Sequence, residues 1–173
     1  MPRTVRISPF VFDLTPALSA KLEELALACS DAVLNVTSAS VVRSLIANAQ
    51  TGVEFVGIVR MQAEKEKIAW LESRRSKKTS SQQSGKRSRA YPVEMPEEMK
   101  LKLNELASSS AINISDISTA GRISCGCIVR ALIASASATP DFIISVRQQA
   151  MQERNSWREK RRQYRKRNES GQD

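Results

Sequence analysis

At 173 residues the chain is long enough for one ordinary domain or two very small ones, and with 41% hydrophobic but only 5% aromatic residues its interior must be mostly Leu, Ile, Val and Ala, which suits helices. No apolar run approaches the roughly 18 residues of a membrane span, so no membrane-spanning helix is expected. The formal net charge of +9 is unevenly placed: Ser73 to Ala90 carries seven basic residues and no acid, Arg154 to Arg167 carries eight and one, and the remainder is net −5.

In chain order, the first patterned segment is "FVFDL", where Phe10, Phe12 and Leu14 alternate with Val11 and Asp13, as in a half-buried strand. A helix is expected at once, started by Thr15-Pro16 and carrying Leu18, Leu22, Leu25 and Ala26 at helical spacing. After a polar loop a second helix opens near Thr37-Ser38, with a broad apolar face of Val41, Val42, Leu45, Ile46 and Ala49. "TGVEF" breaks it and starts a third helix that is apolar at Phe55 and Val59 and increasingly charged after Ala63. A linker over 76–88, rich in Ser, Gln, Lys and Gly, follows.

The same order then recurs. "VVRSLIA" from Val41 reappears 87 positions later as "IVRALIA" from Ile128, and over the 35 residues starting there 16 positions are identical, among them Arg43/Arg130, Trp70/Trp157 and a terminal Arg-Arg. Upstream the offset is 81, so the second copy has six more residues between its first two helices. Its strand is expected as Tyr91, Val93 and Met95 opposed by Pro92 and Glu94. Its helices are expected to start at Pro96-Glu97, near Ser124, and at Thr139-Pro140-Asp141. Pro92 has no N–H, so it must take a non-hydrogen-bonded position. A lone strand cannot satisfy its backbone; the twin strand is the obvious donor. The expected fold is therefore mainly α with a short two-stranded antiparallel β-ribbon, made by two repeats that pair within one chain, each ending in a third, charged helix. The units are 1–75, the linker 76–88, the second repeat 89–167 and a polar tail 168–173.

Strand, helix, loop, helix, with Gly121, Arg122, Ser124, Val129, Arg130 and Ile133 matching a Gly-Arg-Ser…Ile-Arg…Ile run with one extra residue inside it, resembles the ribbon-helix-helix proteins. In the first copy Thr37, Val42, Arg43 and Ile46 match, and the Gly-Arg part is missing. About 40 residues of each copy are covered. A tandem copy in one chain, an intramolecular pseudo-dimer, is similar to the duplicated accessory proteins of conjugative-plasmid relaxosomes. The resemblance implies sequence-specific double-stranded DNA binding, in transcription regulation or in a relaxosome, with a relaxase or other transfer proteins as further partners and higher-order assembly on DNA. It also implies site residues. The outward ribbon positions Val11, Asp13, Pro92 and Glu94 would face base edges, although the family usually presents Arg, Lys, Gln, Asn or Thr there. Ser38 and Ser124, with Arg122 close by, would hold a phosphate at the second-helix N-terminus. Arg3 and Arg6, and Lys86, Arg87 and Arg89, stand before the two strands as basic arms. Arg161 and Arg162, like Arg74 and Arg75, end the third helices within reach of neighbouring phosphates.

Other readings compete at several positions. The charge runs fit a polyanion partner, but also a solvated linker and tail. Cys125 and Cys127 are half a metal site at most, because a closed zinc site needs four ligands and the chain has one other Cys and no His; no cofactor is expected. Arg43 and Arg130 suit ion pairing within the fold better than DNA contact, and Trp70 and Trp157 suit packing against the body of the protein better than base stacking. With no His and no glycine-rich phosphate loop, an enzyme is not expected. An odd cysteine count and an N-terminus, "MPRTVRISPF", without a signal-peptide apolar stretch lead us to expect a soluble, cytoplasmic protein. The alternative function is a protein-docking module on the same scaffold.

Overall fold

A computed structural model of the chain describes residues 9–76, 89–114 and 123–169. These residues are mainly α-helical, with six helices and one two-stranded antiparallel sheet. Strand β1, Phe10–Leu14, pairs with β2, Arg89–Val93, in the register Phe10 to Val93, Val11 to Pro92 and Phe12 to Tyr91. Val11 and Pro92 are repeat equivalents placed opposite each other, so the ribbon's local twofold axis passes between them. Such a pairing is the isologous contact of a dimer, made within one chain.

The second strand corrects the expected span. It begins at Arg89, two residues early, and ends at Val93, leaving Met95 and Glu94 outside. Beyond Val93 the Glu94 carbonyl accepts from Arg43 Nη1 at 2.9 Å and Met95 is buried in the core, so the chain is already turning into the next helix.

Each strand runs into a helix: α1, Pro16–Cys29, capped by the Thr15 hydroxyl, which accepts from the Leu18 N–H at 3.4 Å, and α4, Glu97–Ile112, which follows Pro96 without a side-chain cap. The second helices are α2, Ser38–Asn48, and α5, Cys125–Ser135. The third are α3, Val53–Ser76, and α6, Pro140–Glu169, the latter opened by a Thr139 hydroxyl that accepts from the Phe142 N–H at 3.3 Å.

One apolar cluster serves both repeats. Phe12, Leu14, Leu22, Val41, Val42, Ile46 and Val59 of the first interleave with Val93, Met95, Leu103, Ile128, Val129, Ile133 and Val146 of the second, all buried. Neither repeat has a closed interior of its own, because its third helix packs on the other repeat's second helix: α3 on α5, and α6 on α2. Burying each such aliphatic side chain contributes about 1.5–3 kcal/mol, and here that burial exists only when the halves are together. Two lysines complete the exchange. Lys21 Nζ donates to the Ala134 carbonyl and Lys102 Nζ to the Ala47 carbonyl, both at 2.5 Å, so each first helix supplies a cation to the C-terminal end of the opposite second helix. No helix among the described residues is long and apolar enough to cross a membrane.

Candidate nucleic-acid interface

Alternation along the strands divides the ribbon into two faces. Phe12 and Val93 are buried, and Phe12 lies beside Phe10 and Tyr91 at ring separations of 5.6 and 5.7 Å. The outer face shows Val11, Asp13, Ala90 and Pro92, all exposed, and none offers a side-chain hydrogen-bond donor. Glu94 is exposed just beyond β2. Arg89 corrects the expected basic arm: it is the first residue of the strand, opposite Leu14, and its exposed side chain sits at the ribbon's end. The other arm residues, Arg3, Arg6, Lys86 and Arg87, lie outside the described residues, as does Arg122.

The N-termini of α2 and α5 flank this ribbon. At α5 the Ser124 hydroxyl caps the helix, accepting from the Cys127 N–H at 3.2 Å. At α2 the cap is Thr37, not Ser38: its Oγ1 accepts from the Ser40 N–H at 3.1 Å. Offset by 87, Thr37 is the equivalent of Ser124, while Ser38 corresponds to Cys125 and sits half-buried in the first turn. Gly126 brings α5 close to β1, since a Cβ there would lie 3.6 Å from Phe12 Cβ and 3.2 Å from Arg130 Nη1.

Two reciprocal ion pairs hold helix starts, ribbon ends and third helices together. Arg43 donates from Nε to Glu153 Oε1 at 2.5 Å and from Nη2 to Oε2 at 2.7 Å, while Nη1 reaches the Glu94 carbonyl at 2.9 Å. Arg130 does the same with Glu66, at 2.6 and 2.8 Å, and with the Asp13 carbonyl at 3.1 Å. Each guanidinium thus grips a carboxylate of the other repeat in the bidentate geometry that favours Arg over Lys. Gln149 and Gln62 add a donor to each carboxylate, at 2.9 and 2.8 Å. Burial alone would raise the Glu153 carboxyl, but hydrogen bonds from Arg43, Gln149 and Ser40 and the Arg43 charge outweigh it and hold it below the ordinary range. The Ser40 hydroxyl donates to Glu153 Oε2 at 2.8 Å. Its equivalent, Cys127, is buried beside Glu66; burial and that carboxylate push its thiol up to about 12. It remains a protonated donor.

Arg43 and Arg130 therefore carry structure, the ion-paired role that their sequence setting favours. Their partners Glu66 and Glu153 do not stand out in the sequence, although each is an identity between the repeats; a carboxylate in a charged helix looks like solvated surface until the opposite helix is placed.

Beyond these pairs the third helices leave the body. Residues 68–75 of α3 and 154–166 of α6 are all exposed. Trp70 and Trp157 do not pack on the protein as expected: they are 43% and 65% exposed, and each is covered by an arginine one turn on, Arg74 at 4.6 Å and Arg161 at 5.5 Å from the ring centroid. Both indoles sit where their helix has already run past the core, so the guanidinium stem takes the place of an apolar neighbour. Arg161 and Arg162 do not end their helix, which continues to Glu169. Among the described residues no group of three His, Cys, Asp or Glu side chains could hold a metal ion.

No protein-family model, curated protein or solved structure matches this chain significantly.

Proposed function

We propose that the protein binds double-stranded DNA as a ribbon-helix-helix pseudo-dimer contained in one chain, and that it acts as a binding protein, not an enzyme, in transcription regulation or as an accessory factor of a conjugative relaxosome. One observation carries this reading: two repeat-equivalent strands pair in an exposed antiparallel ribbon, with two capped helix N-termini clamped beside it. A two-stranded ribbon fits the major groove, and paired helix N-termini at its flanks offer free backbone N–H groups to phosphates.

On this reading Asp13 and Glu94 accept from cytosine N4 and Val11 meets a thymine methyl, with Pro92 and Ala90 allowing close approach. Thr37 and Ser124 sit at the phosphate positions, Ser38 beside them, and Arg89, Arg161 and Arg162 add charge. A salt-dependent titration on the duplex flanking the gene, with an unrelated duplex as control, tests it. Tighter binding to the flanking DNA is expected; equal affinity for both would remove sequence specificity.

A second reading is favoured by the donor-free, acidic outer face of the ribbon: docking of a partner protein. Asp13→Asn with Glu94→Gln separates the two. A DNA-binding ribbon loses base discrimination, whereas a protein-docking ribbon loses its partner and leaves DNA affinity alone.

A further inference from the structure

We infer that the exposed stretch of α6 from Trp157 to Lys166 is a second DNA contact, a backbone clamp on one side of the ribbon only, which gives the complex a fixed polarity on the duplex. This rests on the DNA-binding reading above and adds a contact that the ribbon itself does not supply.

Placement comes first. Glu153 of α6 is held by Arg43, whose other guanidinium nitrogen bonds the Glu94 carbonyl at the end of β2. The helix therefore leaves the body at the ribbon's edge. From Glu153 to Glu169 it runs roughly 24 Å, against about 12 Å for a major groove and about 6 Å for a minor one. An arm of that length anchored beside a groove-bound ribbon passes the phosphates bounding the groove and reaches the next strand.

Chemistry comes second. Between Trp157 and Lys166 there are six basic residues and one acid, Glu159. Trp157, Arg161 and Tyr164 fall on one helix face, with Trp157 and Tyr164 65% and 67% exposed. The Trp157 ring holds the Arg161 guanidinium in place, which lowers the side-chain entropy given up when it meets a phosphate. An acidic protein would satisfy the charge equally well. The arm's position beside the ribbon favours the duplex.

The equivalent arm on α3 is not a second clamp. From Lys67 to Arg75 it carries three basic residues and one acid, against five and one over the equivalent Arg154 to Arg162, and Ile68 and Leu71 stand where α6 has Asn155 and Arg158. The described part of the helix reaches Ser76, roughly 15 Å beyond Glu66.

The test compares wild type with two variants of the full chain on the duplex flanking the gene. Arg158→Gln, Arg161→Gln, Arg162→Gln and Arg165→Gln together neutralise the α6 arm; Arg74→Gln with Arg75→Gln neutralises the α3 arm. All six positions are exposed, and an unchanged Tm checks folding. The slope of log K against log salt should become shallower by about 2 to 4 for the α6 variant, at about 0.9 for each phosphate no longer neutralised, and by less than about 1 for the α3 variant. The α6 variant's hydroxyl-radical footprint should shorten at one end. Duplex binding by wild type with no change of slope in the α6 variant overturns the clamp alone and leaves the arm to an acidic protein; shortening at both ends overturns its one-sidedness. Failure of wild type to bind any duplex sinks the DNA reading and the clamp with it.

Discussion

The two halves of the molecule agree on the inside and differ on the outside. The charged and polar residues that clamp them together occur twice: Arg43 and Arg130, Glu66 and Glu153, Gln62 and Gln149, Lys21 and Lys102. Farther out the equivalence is only partial: the stacks of Trp70 with Arg74 and Trp157 with Arg161 recur, but Ile68 and Leu71 on one arm stand where the other has Asn155 and Arg158. Duplication kept what a symmetric interface requires, since each bond across it must have its mirror, and left the solvent-facing surface free to diverge. The first loop is tied to α6 by bonds of its own. There Asp31 accepts from the Val33 and Leu34 N–H groups, and Arg147 and Arg154 of α6 donate to the Cys29 and Val33 carbonyls. Arg60, the counterpart of Arg147, pairs instead with Glu64 of its own helix.

The largest expected effect comes from breaking what the halves share. Phe12→Ala removes a buried ring from the ribbon's inner face and should cost about 3–5 kcal/mol, read as a lower urea midpoint with an unchanged m-value. Next come the ion pairs. Arg43→Ala and Arg130→Ala each leave a half-buried carboxylate without its counter-charge and should cost about 2–3 kcal/mol. Costs differing by more than about 1 kcal/mol would show that the clamps are not energetically equivalent despite their common geometry.

Acid sharpens the same comparison. The Glu153 carboxyl titrates lower in the folded protein than in the unfolded chain, so the unfolded state binds the proton first. The stabilisation from this pair is whole above the unfolded carboxyl value of about 4.3 and is lost as pH falls through the folded value. A Tm series from about pH 6 to about pH 2 should decline over that window, and Arg43→Met should flatten the decline. The thiols give a smaller effect. Cys127, with its thiol raised to about 12, and buried Cys29 should resist alkylation at about pH 8 in the native protein, while half-exposed Cys125 reacts first. Cys127→Ser copies the Ser40 arrangement of the other half and should shift stability by less than about 1 kcal/mol. Smallest of all, Lys21→Ala and Lys102→Ala should each cost about 0.3–1 kcal/mol at low salt through removal of the cation at a helix C-terminus.

Much of this architecture is legible in the residues alone. The repeat, both offsets, the first strand's span and the starts of the third helices follow from periodicity and capping chemistry, which act over a few residues. The second strand's span is not, because where it ends depends on Arg43 of the other repeat, which takes the Glu94 carbonyl. Nor does the sequence separate Thr37 from Ser38 as the cap, because neighbouring hydroxyls look alike until the backbone shows which residue is extended and which is already helical.

What the sequence by itself determined is therefore each element and its twin: hydrophobic spacing is a local property and survives without a partner. Tertiary structure decided who touches whom. Arg43 and Glu153 stand 110 residues apart and Arg130 and Glu66 stand 64 apart; only the crossing of each third helix onto the opposite repeat brings them together, because a side chain's charge carries no information about the distant element on which its counter-charge will lie.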